Sequence, residues 1–341
     1  MAKVIPYKGK FPKSEQGVDK QVVTLKSAEN PSLSLDTLAF LVAPPPNAPP
    51  TRGVEELVKR AENKFVTDQL VLRLSRLGSF LSKSYLRTYY ECNHLLFQEG
   101  QTITAKYCNG RWCNNCNRIR TAKMINGYGK QLQAFDEPQF VTLTIPNISG
   151  NYLLMSLKAM QWDMLRIGQR ARKSGMKING IRKLECTYNA DADTYHPHFH
   201  FIVDGFHNAD WMVERWLERN PTANREAQNV KDVDGNGILE LFKYCTKIVS
   251  NSKRDGEAIY IKPLDTIYQA LYRINTFQKM GNLKRVEEDI DGMKSKEYDI
   301  PYYESMAWVK ADTDWYSMMN GDSLTGYEPD KKTLDLITKM I

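Results

Sequence analysis

Long apolar runs are missing from the sequence: none approaches the roughly 18 residues that a transmembrane helix needs. The first residues, MAKVIPYKGKFPKSEQ, also lack the apolar core of a secretory signal, so we expect a cytoplasmic protein with no membrane partner. Charge of either sign is not extreme. The 341 residues carry a formal net charge of +7, which suits an acidic partner such as nucleic acid without requiring one.

Histidine is scarce, with five in the whole chain, yet three of them fall at alternate positions in the segment YHPHFHFIVDG. In an extended strand, His196, His198 and His200 point to one face, whereas Phe199 and Phe201 point to the other. Residues two apart on a strand lie about 6.6 Å apart and residues four apart about 13 Å. At most one neighbouring pair of these histidines can therefore share a metal ion.

The six cysteines, in a chain without an export signal, are better suited to metal binding or to free thiols than to disulfides. A C-x₂-C knuckle ends the segment CNGRWCNNC, and four thiolates there would close a tetrahedral structural zinc site. The four cysteines are Cys92, Cys108, Cys113 and Cys116. His94 is an alternative to Cys92, and free thiols remain the alternative to a site. Cys186 and Cys245 are expected to be small buried residues.

The composition along the chain predicts four regions. Residues 1–50 form an N-terminal arm that ends in the stiff proline-rich linker APPPNAPP. Residues 51–135 form a helical, cysteine-rich segment, with a helical pattern from Val54 to about Leu86. Residues 136–255 form the regular domain, and residues 256–341 form a mainly helical region of unknown role.

The regular domain alternates strand and helix patterns in the order β-α-β-β-α-β-α. Its strands are predicted at FVTLTIP, GIRKLECTYN, the histidine segment and NVKDV. This order is the split βαβ pattern of ferredoxin-like folds, and it predicts an α+β domain with an antiparallel sheet. Helices on one face of such a sheet would leave the other face available for a site.

A turn centred near residues 191–193 would bring a carboxylate to the histidine face. With that turn, Glu185 lies roughly opposite His198 to His200. Two imidazoles and a carboxylate with open coordination positions suit Mn²⁺, Mg²⁺ or Zn²⁺ bound to a phosphate oxygen. The alternative is that Glu185 is simply exposed.

The helix predicted at ILELFKYCTKIVSN places Glu240, Tyr244 and Lys247 along one face. A tyrosine can act as a covalent nucleophile, a glutamate as a base and a lysine as a phosphate ligand, although this pattern alone is weak. The preceding DVDGNGILE is similar to the start of a calcium-binding loop. Its twelfth position is Lys243 rather than the required glutamate, which excludes calcium there.

Basic residues that could contact DNA follow the cysteine knuckle and end the long helix of the regular domain. The candidates are Arg118, Arg120, Lys123 and Arg170. A solvated charged face is the alternative. Trp112 and Trp162 could stack on bases, but core positions are equally compatible with the sequence.

With these residues assembled, the chain resembles the rolling-circle replication initiators of small plasmids, which belong to the HUH endonuclease superfamily. The likeness covers roughly Cys92 to Ser250. FVTLTIPN is similar to the first motif of that family. GIRKLECTYN followed by HPHFHF is similar to the second, whose two histidines fall on His198 and His200. The motif usually has another residue where His196 stands, so the role of His196 is open.

The segment ELFKYCTK resembles the third motif. The resemblance implies that Tyr244 cleaves the DNA strand with Lys247 beside it, and that Glu240 takes the part of a second tyrosine by activating water. It implies Mn²⁺ or Mg²⁺ on the two histidines with Glu185, and a 5′-phosphotyrosine intermediate. The implied partners are single-stranded or hairpin origin DNA and a host helicase and polymerase.

Two alternatives stay open at this point. An HUH transposase would use similar chemistry on the ends of a mobile element. A zinc-containing DNA-binding regulator would have no catalysis, and Tyr244 would then be an ordinary packing residue.

Overall fold

The computed structural model describes residues 51–99, 102–233, 241–242, 249–253, 255–287, 290 and 305–341. The described α-helices are α1 (Thr51–Ser75), α2 (Ser82–Glu91), α3 (Asn114–Leu132), α4 (Leu153–Lys173), α5 (Phe206–Arg219), α6 (Ile261–Ala270) and α7 (Lys331–Thr338). The helical pattern predicted from Val54 to Leu86 is thus divided between α1 and α2. Gly78 lies between these helices with a φ of 70°, which an L side chain rarely adopts.

The described strands are three to eleven residues long. They are β1 (Leu95–Glu99), β2 (Thr102–Ala105), β3 (Pro138–Thr144), β4 (Gly180–Asn189), β5 (Thr194–Asp204), β6 (Asn229–Asp232), β7 (Ser250–Ser252), β8 (Gly256–Ala258), β9 (Phe277–Met280), β10 (Ser305–Val309) and β11 (Asp314–Ser317). The mixed α+β class predicted from the sequence is confirmed.

The central sheet has the strand order β6-β3-β5-β4-β9, and each neighbouring pair is antiparallel. Along the chain, α4 connects β3 to β4 and α5 connects β5 to β6. The third strand, β5, therefore lies between the first and the second, as a split βαβ arrangement requires. An additional strand, β9, comes from the C-terminal region and pairs with the outer side of β4.

One face of this sheet carries the main core of the molecule. Phe199, Phe201 and Val203 of β5 are fully buried there, together with side chains of α4, α5 and α6. Trp216 of α5 is also buried, with its ring centroid 6.0 Å from that of Phe199 in an edge-to-face arrangement. Because successive side chains of β5 point to opposite faces of the sheet, every second residue lies in this core and the histidines lie on the opposite face.

The opposite face, which the sequence predicts to be available for a site, is partly covered. Helix α3 buries Met124 and Tyr128 against Phe140, Ile181 and Ile202 of the sheet. Apolar residues on the histidine side of β3, β4 and β5 must be shielded from water near one end of each strand. Only the other end of the face, which carries the histidines, is left for a polar site.

A second antiparallel sheet has the order β11-β10-β1-β2, with α1 packed against it. Trp308 of β10 and Trp315 of β11 lie edge to face with ring centroids 4.6 Å apart. The C-terminal region is therefore less helical than the sequence predicts, because it adds β9 to the central sheet and β10 and β11 to this one. No helix in the described part of the chain is long and apolar enough to span a membrane.

Candidate functional site

The pairing of β4 with β5 brings three potential metal ligands together. Glu185 lies directly opposite His198, as the hairpin count predicts. The Nε2 atoms of His198 and His200 are 3.2 and 3.6 Å from Oε2 of Glu185. The potential ligand atoms of these three residues all lie within 4.8 Å of one another.

These separations fit a divalent cation. Two ligands that each stand about 2.1 Å from one ion are roughly 3 to 3.5 Å apart at tetrahedral or octahedral angles. Two imidazoles and one carboxylate leave coordination positions open for oxygen ligands of a substrate. The three residues together can therefore hold Mn²⁺, Mg²⁺ or Zn²⁺.

Both histidine rings are oriented by their second nitrogen. Nδ1 of His198 is 3.0 Å from the carbonyl oxygen of His196. A carbonyl oxygen can only accept, so Nδ1 carries a proton in this contact, and Nε2 is the nitrogen that faces Glu185 and would face a metal ion. Nδ1 of His200 is 3.1 Å from Oγ1 of Thr142 on β3. Such contacts favour the ring orientation that metal binding needs.

His196 is not part of this trio. Its Nε2 is 3.1 Å from Oγ1 of Thr144, and its Nδ1 is 2.8 Å from Oδ1 of Asn147. Burial, together with the nearby His198, lowers the pKa of His196, which favours the neutral ring. Its side chain is thus bound to its neighbours through both nitrogens, while its backbone carbonyl orients His198.

Lys183 is a member of the site that the sequence analysis missed. Its side chain is fully buried and forms an ion pair with Oε1 of Glu185, so the two carboxylate oxygens face different partners. Burial alone would raise the pKa of Glu185. The hydrogen bond with His198 and the charge of Lys183 outweigh it and lower that pKa to about 2. Strand alternation places Lys183 on the same face as Glu185, a signal that was available in the sequence.

The four predicted zinc ligands also come together. The Sγ atom of Cys92 is 3.6 Å from those of Cys113 and Cys116, and Cys108 Sγ is 3.6 Å from Cys116 Sγ. A tetrahedral Zn²⁺ with Zn–S bonds of about 2.3 Å separates its sulfurs by roughly 3.8 Å. A disulfide requires about 2.05 Å, so these cysteines are unbonded thiols. His94 is outside this group of four.

The surroundings of the cysteines favour a thiolate at Cys108 and thiols at Cys113 and Cys116. Backbone N–H groups of Cys108 and Gly110 donate to the sulfurs of Cys92 and Cys108, at 3.4 Å each. Hydrogen bonds with Cys113 and other cysteines lower the pKa of Cys108, whereas the bond with Cys108 raises that of Cys113. Buried sulfurs this close cannot all ionise without a cation to offset their charge. The donor set is therefore suited to zinc.

The predicted catalytic residues Glu240, Tyr244 and Lys247 lie outside the described residues, as does Cys245. Two residues of the same predicted helix, Leu241 and Phe242, are described and helical, and both are buried in the cluster that covers the histidine face. The ring of Phe242 stacks between those of Tyr128 and Phe277, with centroids 6.4 and 6.0 Å away.

The four predicted DNA-contacting residues do not form one surface. Arg118 is exposed and Lys123 half-buried on α3. Arg120 is buried and donates to the carbonyl oxygen of Asn109 at 2.8 Å. Arg170 lies on α4, on the opposite side of the central sheet, and forms a 2.6 Å ion pair with Glu218.

The two tryptophans considered for base stacking, Trp112 and Trp162, differ in burial. Trp112 is buried and donates from Nε1 to Oγ1 of Thr88 at 2.7 Å, so it is a core residue. Trp162 is 52% exposed, and the guanidinium of Arg166 lies 4.4 Å from its ring centroid.

Comparison with known proteins gives consistent matches to replication proteins. The chain is 25% identical over 226 residues to a protein named "Protein rep" from Streptococcus pneumoniae serotype 2, covering 58% of this chain and 68% of that protein. It is 28% identical over 183 residues to a "Protein rep" from Staphylococcus aureus, covering 46% and 80%. A "Protein rep" from Bacillus sp is 29% identical over 106 residues, covering 29% and 34%. No solved structure matches the chain significantly.

A family model described as "Replication protein" matches residues 100–305, which is more than half of the chain. The matched range includes β3, β4 and β5 with the glutamate and the two histidines, and it also includes three of the four clustered cysteines. The resemblance to replication initiators that the sequence motifs indicate is confirmed: the chain belongs to the replication protein family.

Proposed function

We propose that this protein starts rolling-circle replication by nicking one DNA strand at an origin and later rejoining it. The observation that carries the proposal is the trio Glu185, His198 and His200 on one sheet face of a replication protein. A binding protein has no need to bury a carboxylate against two oriented imidazoles, since phosphate contacts require only accessible donors. A strand-cleaving enzyme does need such a site.

In this proposal the three residues hold Mn²⁺ or Mg²⁺. An ion bound there would polarise the scissile phosphate and offset the charge that develops on it. The protein prepares the site through Thr142 and the carbonyl oxygen of His196, which orient the rings, and through Lys183, which fixes Glu185. This preorganisation reduces the free energy needed to assemble the ligands.

Tyr244 is the proposed nucleophile, on the strength of its match to the third motif. Its phenolic oxygen forms a bond to phosphorus while the bond from phosphorus to the 3′ oxygen breaks. The 3′ oxygen leaves as a hydroxyl that can prime synthesis, and the 5′ phosphate remains on the tyrosine. Lys247 would bind a phosphate oxygen, and Glu240 would activate water to release the protein at the end. One ester replaces another, so the strand can be rejoined without ATP.

The remaining parts of the proposal concern partners and the cysteine cluster. The substrate would be single-stranded or hairpin origin DNA, because Tyr244 must reach an unpaired strand, and a host helicase and polymerase would act next. The four clustered cysteines would hold a structural Zn²⁺ that fixes the start of α3.

The test uses the full chain, Mn²⁺ and an end-labelled single-stranded oligonucleotide. Its sequence is that of the candidate origin in the DNA beside the gene. We expect a covalent adduct that survives SDS in the wild type and in Tyr152→Phe, a matched control whose ring is 65% exposed on the surface. Tyr244→Phe should abolish the adduct. An adduct that persists in Tyr244→Phe would contradict the assigned nucleophile. Absence of any adduct with Mn²⁺, Mg²⁺ or Zn²⁺ would instead favour a non-catalytic DNA-binding regulator.

The metal site has its own test, independent of cleavage. Titration of Mn²⁺ into the protein without DNA should show affinity lowered at least about tenfold in His198→Gln, since a ligand is lost. His196→Gln is the matched control, and we expect a smaller change because that ring lies outside the trio. Equal effects of the two substitutions would contradict the assignment.

A further inference from the structure

A groove of about 710 Å³ lies beside the cysteine cluster, between α3, the loop after α6 and the edge strand β9. Cys108 and Trp112 line one end, and Phe277 and Tyr128 line another part. The sequence predicts a DNA contact for one lining residue, Arg120, but it does not predict the groove, because the walls come from segments far apart in the chain.

The described lining of the groove is rich in basic residues. Among the lining residues that the structure describes, one is acidic, Glu287, and six are basic: Arg87, Arg111, Arg120, Arg273, Lys279 and Arg285. Glu287 is 3.2 Å from Arg285, but both side chains are largely exposed, so solvent screens that pair. Clustered positive charge in a concave surface concentrates the field and attracts a polyanion.

Two of the arginines are held in place by backbone groups. Arg111 donates to the carbonyl oxygens of Leu271 and Ile274, at 2.7 and 2.6 Å. Arg120 donates to the carbonyl oxygen of Asn109 at 2.8 Å. These bonds fix the guanidinium groups in position. The wall of the groove is therefore rigid at these two residues.

Aromatic rings stand among the charges. Tyr272 is 42% exposed, with Phe80 edge-on at 5.3 Å and the guanidinium of Arg273 5.2 Å from its ring centroid. Phe277 and Tyr128 also line the groove, but both rings stack with Phe242, so Tyr272 is the ring that is open to a base. Rings between cations suit unpaired bases, since every base offers a face for stacking, whereas a duplex keeps its base faces covered.

Strand pairing links the lining of the groove to the candidate metal site. Phe277 of β9 lies directly opposite Lys183 of β4, and Nζ of Lys183 is 5.7 Å from the Phe277 ring centroid. Lys183 in turn forms the ion pair with Glu185. One side of Phe277 thus faces the groove, and its neighbour on β4 is bonded to the potential metal ligand.

We infer that this groove binds the single-stranded DNA that flanks the scissile phosphate, with phosphates on its arginines and lysine and an unpaired base on Tyr272. The inference rests on the proposed function for the identity of the strand, but the binding itself needs no cleavage. It assigns the strand a path from the metal site, past β9, toward the cysteine cluster. That cluster would then fix the wall that carries Arg111 and Arg120.

The test measures fluorescence anisotropy of a labelled single-stranded oligonucleotide with the full chain, in a buffer without added Mn²⁺ or Mg²⁺. Tyr272→Ala should weaken binding about tenfold, and Tyr272→Phe should bind like the wild type because the ring is kept. The double variant Arg273→Ala/Lys279→Ala should lower the slope of log Kd against log salt by about 1.4. Arg172→Ala, an exposed arginine at the end of α4 outside the groove, is the matched control and should lower it less.

Two results would overturn the inference. One is wild-type affinity in both Tyr272→Ala and the double variant. The other is an equal loss of affinity for a fully paired duplex, which would indicate a general electrostatic surface. Failure of the proposed cleavage is distinguishable, because the protein would then form no adduct while its single-strand binding still depended on Tyr272.

Discussion

Replacing Lys183 with methionine tests the electrostatic design of the candidate metal site. Methionine is about as long as lysine, so the fully buried position stays filled while the positive charge is lost. Glu185, whose side chain is 13% exposed, is then left without its lysine partner. The carboxylate would retain its contact with His198. Nothing else in the register of β4 with β5 needs to change, so the effect should report on the charge.

The magnitude follows from the pKa of Glu185. The fall from 4.5 to about 2 corresponds to about 3 kcal/mol of stabilisation of the ionised form. Because this pKa is depressed in the folded state, the contribution is present above pH 4.5 and is lost as pH falls toward 2. Removing one partner of a buried ion pair costs about 3 to 5 kcal/mol. The hydrogen bond with His198 supplies part of the fall in pKa and is kept in the variant, so we expect Lys183→Met to lower the free energy of unfolding by about 1 to 3 kcal/mol at pH 7.

The assay is urea unfolding at pH 7 and at pH 3, without added Mn²⁺ or Mg²⁺. The difference between wild type and Lys183→Met should be largest at pH 7 and should shrink at pH 3, where the stabilisation of ionised Glu185 is partly lost in the wild type as well. Lys279→Met is the control on the adjacent strand, with an exposed side chain, and should change stability by less than about 0.5 kcal/mol. A difference independent of pH would refute the electrostatic reasoning and indicate a packing effect.

Three further predictions concern two positions in the cysteine segment and one in helix α4. Cys113→Ser should remove bound zinc and lower the melting temperature, whereas Cys186→Ala should keep one zinc per chain by elemental analysis; an unchanged melting temperature with no zinc in the wild type would count against the site. Gly110→Ala should destabilise the protein by about 1 to 3 kcal/mol, because its Cβ would lie 2.5 Å from the indole of Trp112. Gly168→Ala, in α4 with open space around it, should instead stabilise by about 0.5 to 1 kcal/mol; destabilisation there would contradict the packing described.

The register of the histidine hairpin could be predicted from the sequence because two independent constraints agree. Alternation in β5 fixes which face Phe199 and Phe201 share, and the turn residues before Thr194 fix the position of Glu185 across from His198. Both constraints act over a few residues, so local pattern is sufficient. The cysteine spacing is similar, because a C-x₂-C knuckle limits where its two sulfurs can lie.

The packing of α3 on the sheet face that carries the histidines could not be predicted from local sequence patterns. Burial of Ile181 and Ile202 beneath α3 depends on contacts between segments far apart in sequence, and periodicity within either segment does not specify the partner. The pairing of β9 with β4 is equally remote, since Lys183 and Phe277 are 94 positions apart. Such pairings are set by which surfaces need covering after the local elements form.

The edge strand β9, which comes from the C-terminal region, contributes directly to the structure of this site. Without Phe277 opposite it, Lys183 would lie on an edge strand, where water would screen its charge and weaken its hold on Glu185. With β9 in place, the lysine is fully buried and the carboxylate is fixed with one oxygen toward the histidines. The same strand presents Phe277 and Lys279 to the cationic groove. Loss of β9 should therefore leave Glu185, a potential metal ligand, less rigidly held, and it should also disrupt the proposed DNA-binding groove.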